Sequence, residues 1–162
     1  MELILWRHAD AEDATPGKSD LERRLTAKGE KQARRVADWL GKRLPKDVRI
    51  LASPAQRAQQ TARAFAKHFE TSGDVGTAAA PQSVLTAAGW PDGDGTVVVV
   101  GHQPTLGQAA ALALTGRPDE WSVQKGALWW LESRRRGETQ VRAVIAPDML
   151  TSERREARGV KR

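Results

Sequence analysis

Four consecutive valines, Val97–Val100, constrain the fold of this chain more than any other stretch. β-Branched side chains favour strands, and an unbroken apolar run predicts a strand that is buried on both faces. Such a strand belongs inside a parallel sheet that is covered by helices on both sides. The run ends at Gly101, and the titratable His102 follows directly. This order predicts that His102 lies at the sheet edge where α/β proteins bind their ligands.

Two other short apolar runs end in the same way. Glu2–Trp6 leads into Arg7 and His8, and Val48–Ala52 leads into Ser53. Because the carboxyl ends of parallel strands meet at one edge of a sheet, we expect these polar side chains to lie close together.

Helical periodicity follows the first and the third of these strands. Apolar side chains three and four residues apart predict a helix that begins at the N-cap Thr26 and ends at Gly41 or Pro45. The same spacing predicts a helix from Leu106 to Gly116 after the valine strand. Each strand is therefore part of a strand–helix unit.

The second strand is followed by a strong helix-start pattern. Ser53 is predicted as the N-cap, Pro54 as the first helical residue and Gln56 as the partner in a capping box. The apolar stripe predicts that this helix continues through Phe69. Arg57 then lies in the first helical turn, next to a strand end.

The rest of the chain has weaker patterns. Residues 71–95 are rich in glycine and contain prolines, with a short edge strand expected at Gln82–Leu85. Ala127–Glu132 and Gln140–Ile145 flank a polar turn and predict a β-hairpin. The predicted fold class is α/β: a three-layer α/β/α sandwich with a mostly parallel central sheet and a site at the carboxyl ends of the strands.

Length and composition limit the possible classes of protein. A chain of 162 residues predicts one domain, residues 1–162, with a loose basic tail at about residues 149–162. The net charge of +6 favours acidic partners, but no aromatic residues alternate with the basic ones, so nucleic acid is a weak candidate.

Without cysteine, thiolate catalysis and Cys-bound metals are excluded. No apolar run reaches the roughly 20 residues of a membrane span and no secretory signal is visible, so we expect a cytoplasmic protein.

The residues at the three strand ends share an affinity for phosphate. Each guanidinium group, on Arg7 and on Arg57, is suited to bind two phosphate oxygens at once. The N-termini of helices add positive potential. A neutral imidazole, His8 or His102, is able to attack phosphorus, while the other in its protonated form stabilises the transition state. We expect neighbouring cations to lower the pKa of the nucleophile and bound phosphate to raise the pKa of its partner.

Taken singly, these residues have ordinary structural explanations. One histidine after a strand is more often a structural donor, Arg57 an exposed helix residue and Ser53 a cap. A metal site formed by His8, His102 and Asp10 lacks ligand spacing, and adjacent arginines disfavour a cation, so no metal and no cofactor are expected. The convergence of three strand ends is what favours a phosphate site.

Four segments of the chain, in order, resemble the histidine phosphatase (phosphoglycerate mutase-like) superfamily. Leu5–Glu12, Ser53–Thr61 and Val100–Leu106 are similar to its three motifs. Ala9 replaces the usual glycine of the mutases and, with Arg23–Gly29, resembles the short SixA-type phosphohistidine phosphatases.

The resemblance implies roles for individual residues. His8 would be the phosphorylated nucleophile, with Arg7, Arg57 and His102 around the phosphate. Gln103 would also bind phosphate, and Arg23 would reach the substrate, with the adjacent Arg24 as the alternative. Inorganic phosphate or sulfate is expected to occupy such a site.

The larger relatives have a carboxylic general acid between the second and third motifs. In this chain the acids of that segment, Glu70, Asp74, Asp92 and Asp94, have no motif context. An alcohol leaving group needs a proton from an acid, whereas a protonated phosphohistidine ring leaves as neutral imidazole. The expected substrate is therefore phosphohistidine on a phosphorelay or phosphocarrier protein. Asp10, Glu12 or Asp20 as an acid, a small-molecule phosphomonoesterase, and a non-catalytic phosphate-binding module remain alternatives.

Overall fold

A six-stranded sheet and four α-helices make up the described part of the protein. The computed structural model describes residues 1–150, and residues 151–162, most of the predicted basic tail, lie outside it. The sheet order is β3-β2-β4-β1-β5-β6. The elements are β1 (Glu2–Arg7), α1 (Ala27–Gly41), β2 (Arg49–Ala52), α2 (Gln56–Phe65), β3 (Glu70–Thr71), α3 (Pro81–Ala88), β4 (Thr96–Gly101), α4 (Thr105–Thr115), β5 (Leu128–Ser133) and β6 (Thr139–Ile145).

The valine strand β4 lies inside the sheet, as predicted. It pairs in parallel with β1 on one side and β2 on the other, for example Val97 with Leu3 and Val98 with Ile50. All six residues of β4 are buried. β3 continues the parallel part, whereas β5 and β6 form the antiparallel hairpin that the sequence predicted. The sheet is thus mostly parallel.

Alternate residues of β1 pack into different cores. Leu3 and Leu5 belong to a cluster that contains side chains of α3 and α4, whereas Ile4 and Trp6 belong to one that contains side chains of α1 and α2. Successive strand residues point to opposite faces, so helices cover both faces of the sheet. The three-layer α/β/α sandwich is confirmed.

The predicted first and third helices are confirmed, and their ends have the expected chemistry. The Thr26 hydroxyl accepts a hydrogen bond from Gly29 N at 3.0 Å and caps α1. At the end of α4, Gly116 has a φ of +79°, the left-handed conformation that glycine adopts at helix C-termini. No helix within residues 1–150 is long and apolar enough to cross a bilayer.

The predicted bounds of the second helix are wrong at both ends. α2 begins at Gln56 with Ala55 as its N-cap, and no side chain caps it. Ser53 lies two residues too early, so the predicted capping box does not form. The helix ends at Phe65 instead of Phe69 because the chain becomes extended and then forms β3, which pairs with β2.

The predicted edge strand at Gln82–Leu85 is also wrong, because these residues lie in α3. Pro81 is suited to the first turn of this helix, where no backbone N–H is needed, and Gly89 ends it at a φ of +77°. Val84, Leu85 and Ala88 form its buried side. The edge strand next to β2 is instead β3.

Candidate active site

One cavity lies at the carboxyl ends of β1, β2 and β4. Its volume is about 210 Å³. All six residues that the sequence analysis selected line it: Arg7, His8, Arg23, Arg57, His102 and Gln103. His68, the third histidine of the chain, is exposed on the segment after α2.

His8 is held in one tautomer. Its Nδ1 lies 2.7 Å from the carbonyl oxygen of Ala9, and because a carbonyl only accepts, Nδ1 carries the hydrogen. The other ring nitrogen, Nε2, therefore has a free lone pair. Backbone hydrogen bonds to Gly101 and Gly126, both 3.0 Å long, hold the residue in place. This is the arrangement that a nitrogen nucleophile requires.

Burial keeps the His8 ring neutral. The side chain is almost inaccessible to solvent, and desolvation is the largest cause that lowers its pKa to about 4. The hydrogen bond to Ala9 opposes the shift, and the positive charges of Arg57 and Arg7 add to it. The sequence analysis expected the direction of this shift but assigned it to the cations alone, whereas burial is the larger cause.

His102 faces His8 across the cavity, with 5.2 Å between the ring centroids. Its Nε2 is 2.7 Å from the hydroxyl oxygen of Ser53, so the serine predicted as a helix cap instead orients an imidazole. The buried Nδ1 has no hydrogen-bond partner among residues 1–150. Burial is the largest cause that lowers the His102 pKa to about 3, and the electrostatic interaction with His8 is the next. The expected rise of the His102 pKa on phosphate binding stays a prediction.

Arg57 and Arg7 direct guanidinium groups into the same cavity. Arg57 is only 4% exposed and donates through Nη1 and Nη2 to the backbone oxygen and carboxylate of Asp20, at 2.8 and 3.0 Å. Arg7 donates through Nη1 to the Val123 carbonyl at 2.8 Å. In both arginines the buried Nε has no hydrogen-bond partner among the described residues. Buried donors of this kind, next to an anion-sized cavity, suit a phosphate group.

Residues 121–127 form a segment, here called the bracing segment, that holds the end of β1. Arg7 N donates to Ala127 O at 3.0 Å, and the Trp6 indole donates to Gly126 O at 3.0 Å. Val123 accepts from the Arg7 guanidinium, as described above. The orientation of the Arg7 side chain therefore depends on this segment.

Gln103 connects α4 to the bracing segment. Its side-chain nitrogen donates to Trp121 O at 2.9 Å, and its side-chain oxygen accepts from Gly107 N at 2.7 Å. Both ends of the amide thus have protein partners. These contacts support a role for Gln103 in positioning the bracing segment more directly than they support the expected contact of Gln103 with phosphate.

The structure distinguishes Arg23 from Arg24. Arg23 lines the cavity, donating to Asp20 Oδ1 at 2.9 Å and to the Glu12 carbonyl at 2.8 Å. Arg24 is exposed and is not among the residues that line the cavity. Arg23 is therefore the residue in position to contact a substrate.

The sequence analysis did not assign several other residues to the cavity. Asp20 was considered only as a possible general acid. In the sequence, only its spacing of three residues from Arg23 indicated that the two side chains form an ion pair. Thr77 and Lys125 come from loops without a motif, so no pattern could have found them. The cavity is also lined by Ala11 and Asp13.

The carboxylates near the motifs have other partners. Asp10 accepts from the Thr26 hydroxyl at 2.7 Å and pairs with Lys125 at 3.1 Å. No group of three or more His, Asp or Glu side chains within residues 1–150 is arranged to hold a metal ion. The four acids between the second and third motifs, Glu70, Asp74, Asp92 and Asp94, do not line the cavity.

Known proteins share both this sequence pattern and this fold. The model of the histidine phosphatase superfamily (branch 1) matches residues 3–77. An uncharacterised protein of Picosynechococcus is 34% identical over 141 residues, 82% of this chain and 86% of the relative. The phosphohistidine phosphatase SixA of Escherichia coli is 31% identical over 123 residues, 68% of this chain and 73% of the relative.

A solved structure gives the same assignment. The structure of the protein histidine phosphatase SixA complexed with tungstate superimposes with a TM-score of 0.78 at 25% identity, covering 93% of this chain and 100% of that one. In this chain the segments that resemble the motifs of the superfamily lie at the strand ends that form the cavity described above. Sequence, fold and cavity together identify the chain as a phosphatase of the histidine phosphatase superfamily.

Proposed function

We propose that this protein hydrolyses phosphohistidine on a protein substrate through a covalent phosphohistidine intermediate at His8. The observation that carries the proposal is the state of His8: a buried, neutral ring whose Nδ1–H is bound to Ala9 O and whose Nε2 is free. Two arginines with buried, unpartnered Nε atoms line the same cavity. The similarity to SixA supports the same substrate class.

The first step transfers the phosphoryl group to the enzyme. The lone pair of His8 Nε2 forms a bond to phosphorus while the P–N bond to the substrate histidine breaks. The electron pair of that bond returns to the substrate ring, which leaves as neutral imidazole if its other nitrogen is already protonated. Arg7 and Arg57 bind the phosphoryl oxygens throughout, because guanidinium donors stabilise charge that spreads over them.

The second step regenerates the enzyme. Water attacks phosphorus, a P–O bond forms, and the bond to Nε2 breaks with its electron pair returning to His8. Both water hydrogens remain on the product as H₂PO₄⁻, and His8 keeps its Nδ1–H throughout. The carbonyl of Ala9 accepts that hydrogen in every state, so the ring needs no separate proton donor in order to leave.

The choice of a P–N substrate is supported by the acids of the cavity. Asp13 and Asp20 line it, whereas the acids of the segment between the second and third motifs do not. Of the two, Asp20 contacts Arg23 and Arg57, which hold the pKa of its carboxylate below the usual range. A deprotonated carboxylate cannot protonate an alcohol leaving group. Lys125 and Arg23 add positive charge to the rim, which suits an acidic surface such as that of a phosphorelay or phosphocarrier domain.

Two measurements test the proposal. Rates on a phosphohistidine peptide, an aryl phosphate and a sugar phosphate should rank the peptide first, and a clear preference for the sugar phosphate would make the small-molecule alternative correct. Incubation with the phosphohistidine peptide should label the protein with acid-labile phosphate. His8→Ala should abolish the label, whereas the exposed control His68→Ala should keep it. Labelling of His8→Ala would show that the nucleophile is wrong, and phosphate binding without turnover would favour the non-catalytic module.

A further inference from the structure

Asp20 places a negative charge inside a cavity that otherwise suits an anion. Its carboxylate contacts Arg57 Nη2 at 3.0 Å through one oxygen and Arg23 at 2.9 Å through the other. The side chain is 53% exposed and lines the cavity, so the carboxylate has room to accept a further hydrogen bond. A bound phosphate would therefore meet a carboxylate next to one of its arginines.

The loop that carries Asp20 is also held by contacts that do not involve its carboxylate. The backbone oxygen of Asp20 already accepts from Arg57 Nη1 at 2.8 Å, and the Ser19 hydroxyl already accepts from Leu21 N at 3.3 Å. Like charges a few ångströms apart repel, so the carboxylate weakens the binding of a plain phosphate dianion. Its presence favours a substrate that brings a positive charge to it.

Protonated phosphohistidine is such a substrate. One ring nitrogen carries phosphorus and the other carries a hydrogen, which makes the ring cationic. On the enzyme side of the transfer, Ala9 O accepts the corresponding hydrogen of His8. A second acceptor would hold the N–H of the substrate ring in the same way, and Asp20 is the negatively charged acceptor of the cavity that contacts two of its arginines.

We propose that Asp20 is a specificity-determining residue, and that it accepts the ring N–H of a protonated phosphohistidine substrate. The inference rests on the proposed function. A carboxylate beside the ring favours its cationic form, so the P–N bond breaks to release a neutral imidazole that still carries its hydrogen. A phosphate ester has no such hydrogen at its leaving group and meets only the repulsion. Asp20 thereby makes the enzyme favour substrates with a P–N bond over substrates with a P–O bond.

Asp20→Asn tests this role, with Asp13→Asn as the matched control. Asp13 lines the same cavity and is exposed, but its carboxylate contacts neither Arg57 nor Arg23 in the ion pairs of the structure. In Asp20→Asn, kcat/KM for a phosphohistidine peptide should fall about tenfold, and that for para-nitrophenyl phosphate should stay equal or rise, as expected for one charge near the reacting group. Asp13→Asn should change the two substrates in parallel.

Inhibition by inorganic phosphate supplies a second measurement that needs no phosphohistidine. Asp20→Asn should bind phosphate about tenfold more tightly, because a like charge near the anion has been removed. Equal losses on both substrates, no change on either, or weaker phosphate binding would each overturn the role of Asp20. The ranking of substrates by the wild-type enzyme tests the proposed function, and the ratio of variant to wild type tests Asp20, so the two failures are distinguishable.

Discussion

The two histidines of the cavity should make the fold sensitive to mild acid. Both are buried, and burial lowers the pKa of His8 to about 4 and that of His102 to about 3. In the unfolded chain they titrate near the ordinary histidine pKa of about 6.5. Between these values the unfolded state binds more protons than the folded state, so the free energy of unfolding falls as the pH falls.

The size of the effect follows from those values. At pH 5 both folded rings are still mostly neutral, whereas both unfolded rings are almost fully protonated. Each histidine should then lower the free energy of unfolding by about 2 kcal/mol between pH 8 and pH 5, and the two together by about 4 kcal/mol. Carboxylates contribute little in this window because they titrate at lower pH.

Urea denaturation at pH 8 and pH 5 measures this difference. The wild-type loss should be about 4 kcal/mol, and His8→Gln, which cannot be protonated, should reduce it to about 2 kcal/mol. His68→Gln changes an exposed histidine in the same way and should leave the wild-type loss in place. A loss in His8→Gln as large as in the wild type would show that His8 is not held neutral by the fold.

Two further substitutions test the geometry of the cavity. Arg57→Lys removes the forked donor and should lower kcat/KM by about 10²–10³, whereas Arg63→Lys, on the exposed side of the same helix, should not change it. A Cβ at Gly107 would overlap the carbonyl oxygen of Trp121, so Gly107→Ala should lower the free energy of unfolding by about 1–3 kcal/mol and reduce kcat/KM. Gly41→Ala, where a Cβ has open space, should instead be neutral or stabilising by about 0.5–1 kcal/mol.

Buried, periodic segments could be predicted from the sequence. The apolar runs of Val97–Val100 and of β1 predict buried strands because burial depends on side-chain type, and both strands lie where they were predicted. Thr26 caps α1 as predicted because a local side-chain contact decides it. Arg7, His8, Arg57 and His102 line one cavity because parallel strands place their carboxyl ends together.

Features decided by distant contacts could not be predicted. Ser53 has every local property of an N-cap, but a hydrogen bond to His102, 49 residues away, fixes its side chain. The stripe through Phe69 fits a helix, but pairing of β3 with β2 ends α2 earlier. Asp20 and Lys125 reach the cavity from loops whose paths depend on the finished fold.

The bracing segment has a consequence for how the protein folds. Arg7 donates to Val123, 116 residues further along, and Trp6 donates to Gly126, 120 residues further along. The phosphate-binding geometry therefore exists only when the region around β5 is docked against the end of β1. Phosphate would then stabilise the fully folded state alone, and its protective effect against urea would report on global rather than local unfolding.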